Sequence, residues 1–165
     1  MIGELSGGSV SLPIDQAKEI YESGWYGNQE GERLVLSLVE AAFLLERGKI
    51  GISGTDLEKF LQHCSEKDPH FIARYAVYKD LRERGLPIRE GFKGCDFRVY
   101  ERGANAEKPG KVKWIIFAEA EDYPCVFERL GNAIELAKNI RAVAIWAVVD
   151  NDTDVTFYII NSVEP

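Results

Sequence analysis

The hydrophobic period of the chain changes once, near Gly85, and that change sets the fold class. Before it, apolar residues recur at helical spacing. Leu34, Leu38, Ala41, Ala42 and Leu45 follow i, i+4, i+7, i+8 and i+11, and Phe71, Ile72, Tyr75, Ala76, Tyr78 and Leu81 continue the pattern. After it, Phe97 and Val99 alternate with the charged Asp96 and Arg98, as in a half-buried strand. Val112 to Ala118 reads as a second strand, interrupted by Asp122 and Pro124. A helix is expected over 126–140, with Leu130, Ala133, Ile134 and Ala137 on one side. Val143 to Val149 is apolar on both faces, which predicts a central strand. Asp150-Asn151-Asp152 turns the chain, and 155–160 should pair back antiparallel. Helices first, then a mixed sheet around one long helix, give an α+β fold. A chain of 165 residues holds one large or two small domains. The expectation is a small N-terminal domain of helices and a β-hairpin over 1–85 and an α/β C-terminal domain over 86–165.

Local signals fill in the first half. Gly7-Gly8 inside a serine-rich stretch ending at Pro13 predicts a hairpin. Asp15 is the expected N-cap of a helix ending at Gly24, with Ile14, Ala17, Ile20 and Tyr21 on one face. Trp25-Tyr26-Gly27-Asn28 reads as a loop. A second helix is expected from Arg33 to Arg47, then a short strand over 49–52. Thr55, with Glu58 three residues on, has the capping-box pattern for a third helix bearing Leu57, Phe60 and Leu61. Asp68-Pro69 opens a fourth, which Gly85 ends.

Composition narrows the function. No apolar run approaches the ~20 residues of a membrane span; the longest, Ala142 to Val149, reads as a strand. Met1-Ile2-Gly3-Glu4 has neither the basic start nor the apolar stretch of a signal peptide. Cys64, Cys95 and Cys125 are odd in number, widely spaced and free of any CxxC. They suit a reducing cytoplasm rather than a disulfide framework or a zinc site. The net charge of −7 argues against nucleic-acid binding driven by overall positive charge. Yet 89–113 holds seven basic residues against four acidic ones, and 119–135 holds five acidic residues against one arginine.

No phosphate loop, dinucleotide fingerprint, HExxH or GxSxG occurs. Gly3 to Gly8 is a turn. His63 and His70 lack a second ligand at i+4, which favours solvated or capping roles over a metal. Asp150, Asp152 and Asp154 lack the glycine and final glutamate of a calcium loop. No metal or cofactor is expected.

Two longer motifs are more specific. Tyr75-Ala76-Val77-Tyr78-Lys79-Asp80-Leu81-Arg82-Glu83-Arg84-Gly85 leads into Gly91-Phe92-Lys93-Gly94-Cys95-Asp96-Phe97-Arg98-Val99-Tyr100-Glu101-Arg102-Gly103. Upstream, Trp25-Tyr26-Gly27-Asn28 is followed by Leu36-Ser37-Leu38-Val39-Glu40-Ala41. In this order, and with the closing strand, turn and strand of 143–160, the chain resembles the archaeal tRNA-splicing (tRNA-intron) endonuclease family. The resemblance implies a nuclease-like C-terminal domain. It also implies metal-free RNA cleavage, in which a 2′-hydroxyl attacks the adjacent phosphate to leave a 2′,3′-cyclic phosphate and a 5′-hydroxyl. A tyrosine serves there as general base, a histidine protonates the leaving oxygen and a lysine stabilises the phosphorane.

Tyr100 matches the tyrosine. Gly110 stands where the histidine belongs, and Ala142 where the lysine belongs. Two catalytic groups out of three are therefore missing, and both histidines lie in the first half. Lys108, Lys111 or Lys113 as a replacement acid would start from an ordinary lysine pKa near ~10.4, a poor donor at neutral pH; Arg141 is the candidate replacement cation. Some members of the family are heterotetramers of a cutting subunit and a diverged structural paralogue. The resemblance implies that role here: a structural subunit in an α2β2 assembly with a catalytic partner, acting on bulge-helix-bulge introns of pre-tRNA.

Docking is then expected through Glu119, Glu121 and Asp122 in an acidic loop, and through Phe157, Tyr158 and Ile159 in the last strand. Arg89, Lys93, Arg98, Arg102, Lys111 and Lys113 are candidate RNA contacts. The alternatives are an active endonuclease built on Tyr100 with replacement groups, and an RNA-binding module that does not cut.

Overall fold

The computed structural model describes Met1–Pro165. The chain divides into two compact units. The first is Met1–Tyr75 with Asn105–Lys108, and the second is Ala76–Ala104 with Pro109–Pro165.

In the first unit, β1 (Ile2–Ser6) and β2 (Ser9–Pro13) form the expected hairpin around Gly7 and Gly8, both at positive φ. Helix α1 (Ile14–Gly24) follows directly. Asp15 does not cap it. Pro13 holds the N-cap position with no side-chain bond, and Asp15 sits in the first turn, where its charge still complements the helix N-terminus. Only Ala17 of the expected apolar face is buried.

The expected helix over 33–47 is half strand. β3 (Asn28–Glu30) and β4 (Arg33–Ser37) precede a nine-residue helix, α2 (Leu38–Glu46). Leu34 and Leu36 alternate with Arg33, Val35 and Ser37, and they pair with Leu12 and Val10 of β2. That pairing across the sheet overrides the local helical spacing. Ser37 starts α2 with a full capping box: its hydroxyl accepts the Glu40 N–H and the Glu40 carboxylate accepts the Ser37 N–H.

Strand β5 (Gly51–Ile52) pairs parallel to β1, giving the order β3-β4-β2-β1-β5. Helix α3 (Leu57–Lys67) is capped by Asp56 rather than Thr55, through the Lys59 N–H. That bond holds the Asp56 carboxyl below its usual range. Val10, Leu12, Leu34, Leu36, Val39, Phe43, Phe60 and Cys64 are among the buried side chains.

Helix α4 (Phe71–Glu83) contains the division between the units. Asp68 accepts the His70 N–H just before it. Gly85 ends it at φ 76°, where a residue with a Cβ would be strained; the Leu86 N–H returns to the Leu81 carbonyl.

In the second unit, β6 (Ile88–Glu90), β7 (Phe97–Tyr100), β8 (Val112–Ala120), β9 (Val143–Val149) and β10 (Val155–Ile160) form one sheet in the order β10-β9-β8-β7-β6. Strands β8 and β9 are parallel, and the other neighbours are antiparallel. A parallel pair needs a crossover, and helix α5 (Phe127–Ile140) supplies it. Ala133 and Ala137 are buried against Ile115, Phe117, Ala144 and Trp146, with Leu130, Leu136 and Ile140 at the margin. Small residues on the helix let the Phe117–Trp146 stack lie close beneath it. The α+β class and the mixed sheet around one long helix are as the sequence implies. β3 and β6, three residues each, carry no signal of their own.

Candidate functional site

Strand register brings the three motif positions to one end of the second sheet. Tyr100 closes β7 opposite Val112, the first residue of β8. Gly110 lies two residues before Val112. Trp114 pairs with Val143, the first residue of β9, and Ala142 immediately precedes it. Positions 100, 110 and 142 therefore share the end where β7 finishes and β8 and β9 begin. A register shift interrupts the β7–β8 pairing between Val99 and Tyr100.

Of the three positions, 100 carries a hydroxyl side chain, while 110 and 142 carry no titratable group. Tyr100 is buried, with the Arg98 guanidinium 6.0 Å from its ring centroid. Gly110 is exposed, at φ 64°, and nothing lies within 4 Å of the place a Cβ would take. Ala142 packs on the Ile115–Trp146 cluster, its N–H bonded to the Ala137 carbonyl at the end of α5. Arg141, the candidate replacement cation, is the left-handed C-cap residue of α5 and is exposed. At the other end of β7, burial pushes the Cys95 thiol up, away from reactive thiolate.

The basic segment is less open than its composition suggests. Arg89 is buried, contrary to its expected place on an RNA surface: it lies on β6, opposite Arg98 of β7. Arg98 donates from Nε to the Glu90 carbonyl at 2.7 Å and lies 4.6 Å over the Phe92 ring. Arg102 donates to the Arg84 carbonyl. Lys113 lies 3.7 Å from Glu101 and over the Trp114 ring. Lys93 and Lys111 are exposed. Lys108 belongs to the four-residue segment grouped with the first unit.

The acidic segment is divided between a strand and the turn after it. Glu119 is not in a loop. It is in β8, 2% exposed, and its carboxylate is ion-paired with Arg129 of α5, whose guanidinium lies over Trp146. It cannot reach a partner while so placed. The charge pattern placed Glu119 beside Glu121, but Glu119 ends the run 115–119 of β8 that is buried on both faces. Glu121 is exposed and accepts the Asn151 N–H at 3.3 Å, and Asp122 is exposed. Beside them Tyr123 is 47%, Val126 61% and Phe127 90% exposed, an apolar cluster that the charge pattern did not reveal. At the sheet edge, Tyr158 and Ile159 of β10 are 52% and 72% exposed. Phe157 is half-buried, with Arg84 over its ring.

The two sequence motifs are structural clasps. Glu40, buried, accepts both the Ser37 and the Gly27 N–H at 3.0 Å, so one carboxylate joins the two halves of the upstream motif. Tyr78 is fully buried and its hydroxyl accepts from Arg82, which also donates to the Ile88 carbonyl. Asp96 accepts the Ala118 N–H at 2.8 Å, holding the chain before β7 against β8. The sequence offered Glu40 and Asp96 only as motif members. Their partners are backbone groups 13 and 22 residues away.

These features define a two-unit α+β protein whose motif residues hold strand ends and turns in register. Comparison with known proteins agrees in both units. Residues 1–61 match the family model of the tRNA intron endonuclease N-terminal domain, and 71–157 that of the tRNA intron endonuclease catalytic C-terminal domain. The tRNA-splicing endonuclease of Methanosarcina barkeri is 39% identical over 168 residues, 98% of this chain and 47% of that protein. Those of Thermococcus kodakarensis and Thermococcus onnurineus are 36% and 35% identical, with 93% and 92% of their lengths covered. The chain spans about half the length of the Methanosarcina relatives it matches. The chain belongs to the tRNA intron endonuclease family. No helix is long and apolar enough to cross a membrane.

Proposed function

We propose that the chain is a structural, catalytically incomplete subunit of a tRNA-splicing endonuclease. It assembles with a catalytic paralogue, as an α2β2 heterotetramer in the cytoplasm, to remove introns from pre-tRNA at bulge-helix-bulge sites. The observation that carries this is the end of the second sheet, where Tyr100, Gly110 and Ala142 converge with one hydroxyl and no acid or cation at the other two positions. Attack of a 2′-hydroxyl on phosphate needs a base, a donor for the leaving oxygen and a cation for the phosphorane. Loss of a general acid costs roughly 10²–10⁴-fold, and loss of an electrostatic stabiliser about 10²–10³-fold. Tyr100 alone does not offset that.

Two exposed features support assembly. Glu121 and Asp122 flank an apolar cluster crowned by Phe127, a surface suited to burial in a partner with a cationic rim. Strand β10 ends the sheet with Tyr158 and Ile159 in solvent, an edge that pairing would cover. RNA contact falls to Lys93 and Lys111, which are exposed, with Arg102 and Lys113 held by their own neighbours.

Sedimentation of the chain mixed with a catalytic paralogue tests this reading. A mixed assembly is expected. Glu121→Gln with Asp122→Asn should weaken it about tenfold at low salt, with less difference at high salt. No mixed species, or RNA cleavage by this chain alone, would overturn the reading.

A further inference from the structure

Between α1 and the C-terminal end of α2 the first unit has an open groove of about 540 Å³. That lies within the roughly 300–1,000 Å³ of small-molecule sites. Its wall is built with care. Trp25 adopts left-handed backbone (φ 51°) to close α1, and this turn folds the Tyr26 ring back over Gly24. A Cβ at Gly24 would lie 2.2 Å from that ring, so only glycine admits it. Tyr26 stacks on Phe43 at 6.3 Å, and the guanidinium of Arg47, the C-cap of the same helix as Phe43, lies 5.3 Å from the Phe43 ring centroid. The groove is thus lined by aromatic and aliphatic side chains, by the exposed cations Arg47 and Lys49, and by Gln16, Glu19 and Ser23 of α1.

We propose that this groove binds a nucleotide. The base lies against Tyr26 and the Arg47 plane, and the phosphate is held by Arg47 and Lys49. Bases stack on aromatic rings and on arginine planes, and phosphate favours arginine's fork or a lysine point charge. Glu19 and Gln16 are placed to meet polar groups on a base edge. A purely apolar ligand would not engage Lys49 or the polar side chains of α1, and a bare anion would not engage the aromatic wall. The same chemistry is offered by a free nucleotide and by an unpaired nucleotide of an RNA strand. The proposal does not depend on the subunit reading above, because the groove lies wholly in the first unit.

The test titrates the full chain, followed by backbone amide NMR, with the four ribonucleoside monophosphates, cytidine, inorganic phosphate and a short single-stranded RNA. Expected are shifts confined to the groove, at Ile20, Tyr26 and Leu44, on adding at least one monophosphate. Cytidine and inorganic phosphate should each bind at least about tenfold more weakly than that nucleotide. Arg47→Ala with Lys49→Ala, both solvent-exposed positions, should weaken binding about tenfold or more, the size of a lost charge-assisted hydrogen bond. Tighter binding of the RNA than of the monophosphate assigns the site to an RNA strand, and the reverse to a free nucleotide; either supports it. No groove shifts at about 10 mM nucleotide, equal binding by inorganic phosphate, or an unchanged affinity in the double variant would overturn it, leaving the two cations to complement the α2 C-terminus. Pre-tRNA cleavage by the mixed assembly is scored separately, so failure here and failure of the subunit reading are distinguishable.

Discussion

Within the second unit, the middle of the sheet and the end that carries Tyr100 stand in contrast. In the middle, Phe97, Ile115, Ile116 and Ala147 are fully buried, and Asp96 accepts the Ala118 N–H. At the end, Gly110 projects nothing into open space, and Ala142 has joined the packing of α5. Packing and polar satisfaction act on every strand, so the middle is over-determined. A catalytic group acts only on its substrate, so its removal leaves the fold undisturbed. The scaffold can thus persist without the chemistry.

The largest effect should come from reversing the difference. If the proposed structural role holds, Gly110→His combined with Ala142→Lys supplies an acid and a cation, and RNA cleavage by this chain should rise roughly 10⁴-fold or more. Either change alone should do far less, since such groups act as a unit. Position 110 is left-handed, a conformation histidine tolerates better than most residues. A single-turnover assay reads the outcome. A double variant no faster than the parent would break the contrast, since something other than the missing groups would then separate the two regions.

The clasps should fail differently. Glu40→Ala leaves the buried Gly27 N–H and the half-buried Ser37 N–H without their acceptor and should lower stability by about 2–4 kcal/mol in denaturant unfolding. Ser37→Ala, which removes only the cap hydroxyl, should cost about 1 kcal/mol. Similar losses from the two would show that the Gly27 bond contributes little.

These effects bear on what the sequence disclosed. The hairpin, the β8–α5–β9–β10 order and the α+β class were legible because each rests on local period or turn chemistry. Strand β4 was not. Leu34 and Leu36 fit a helix that also holds Leu38 and Ala41, and only pairing with β2, over twenty residues away, decides between them. The S-x-x-E of Ser37 and Glu40 was a start signal hidden by that helix. Glu119 and Arg89 misled for a shared reason: a charge run does not show which strand positions are covered on both faces, and both residues are buried in such stretches. Tyr100, Gly110 and Ala142 were legible as motif positions, and the strand register is what gathers them.

The smallest effect concerns the thiols. Cys125 is exposed, whereas Cys64 is buried and its thiol is pushed up to about 11 by that burial. Alkylation of the folded chain near pH 8 should label Cys125 first and spare Cys64. Because the folded chain keeps the Cys64 proton, its contribution to stability is complete below pH about 9, the ordinary value, and declines as pH rises toward 11. Labelling of Cys64 in the same time as Cys125 would show that the core around α3 opens readily.

The most direct test of the central claim is cleavage of a pre-tRNA carrying a bulge-helix-bulge intron, by this chain alone and with a catalytic paralogue. Cleavage is expected only in the mixture, and it should be retained when Tyr100→Phe is introduced here. Cleavage by this chain alone, abolished by Tyr100→Phe, would contradict it.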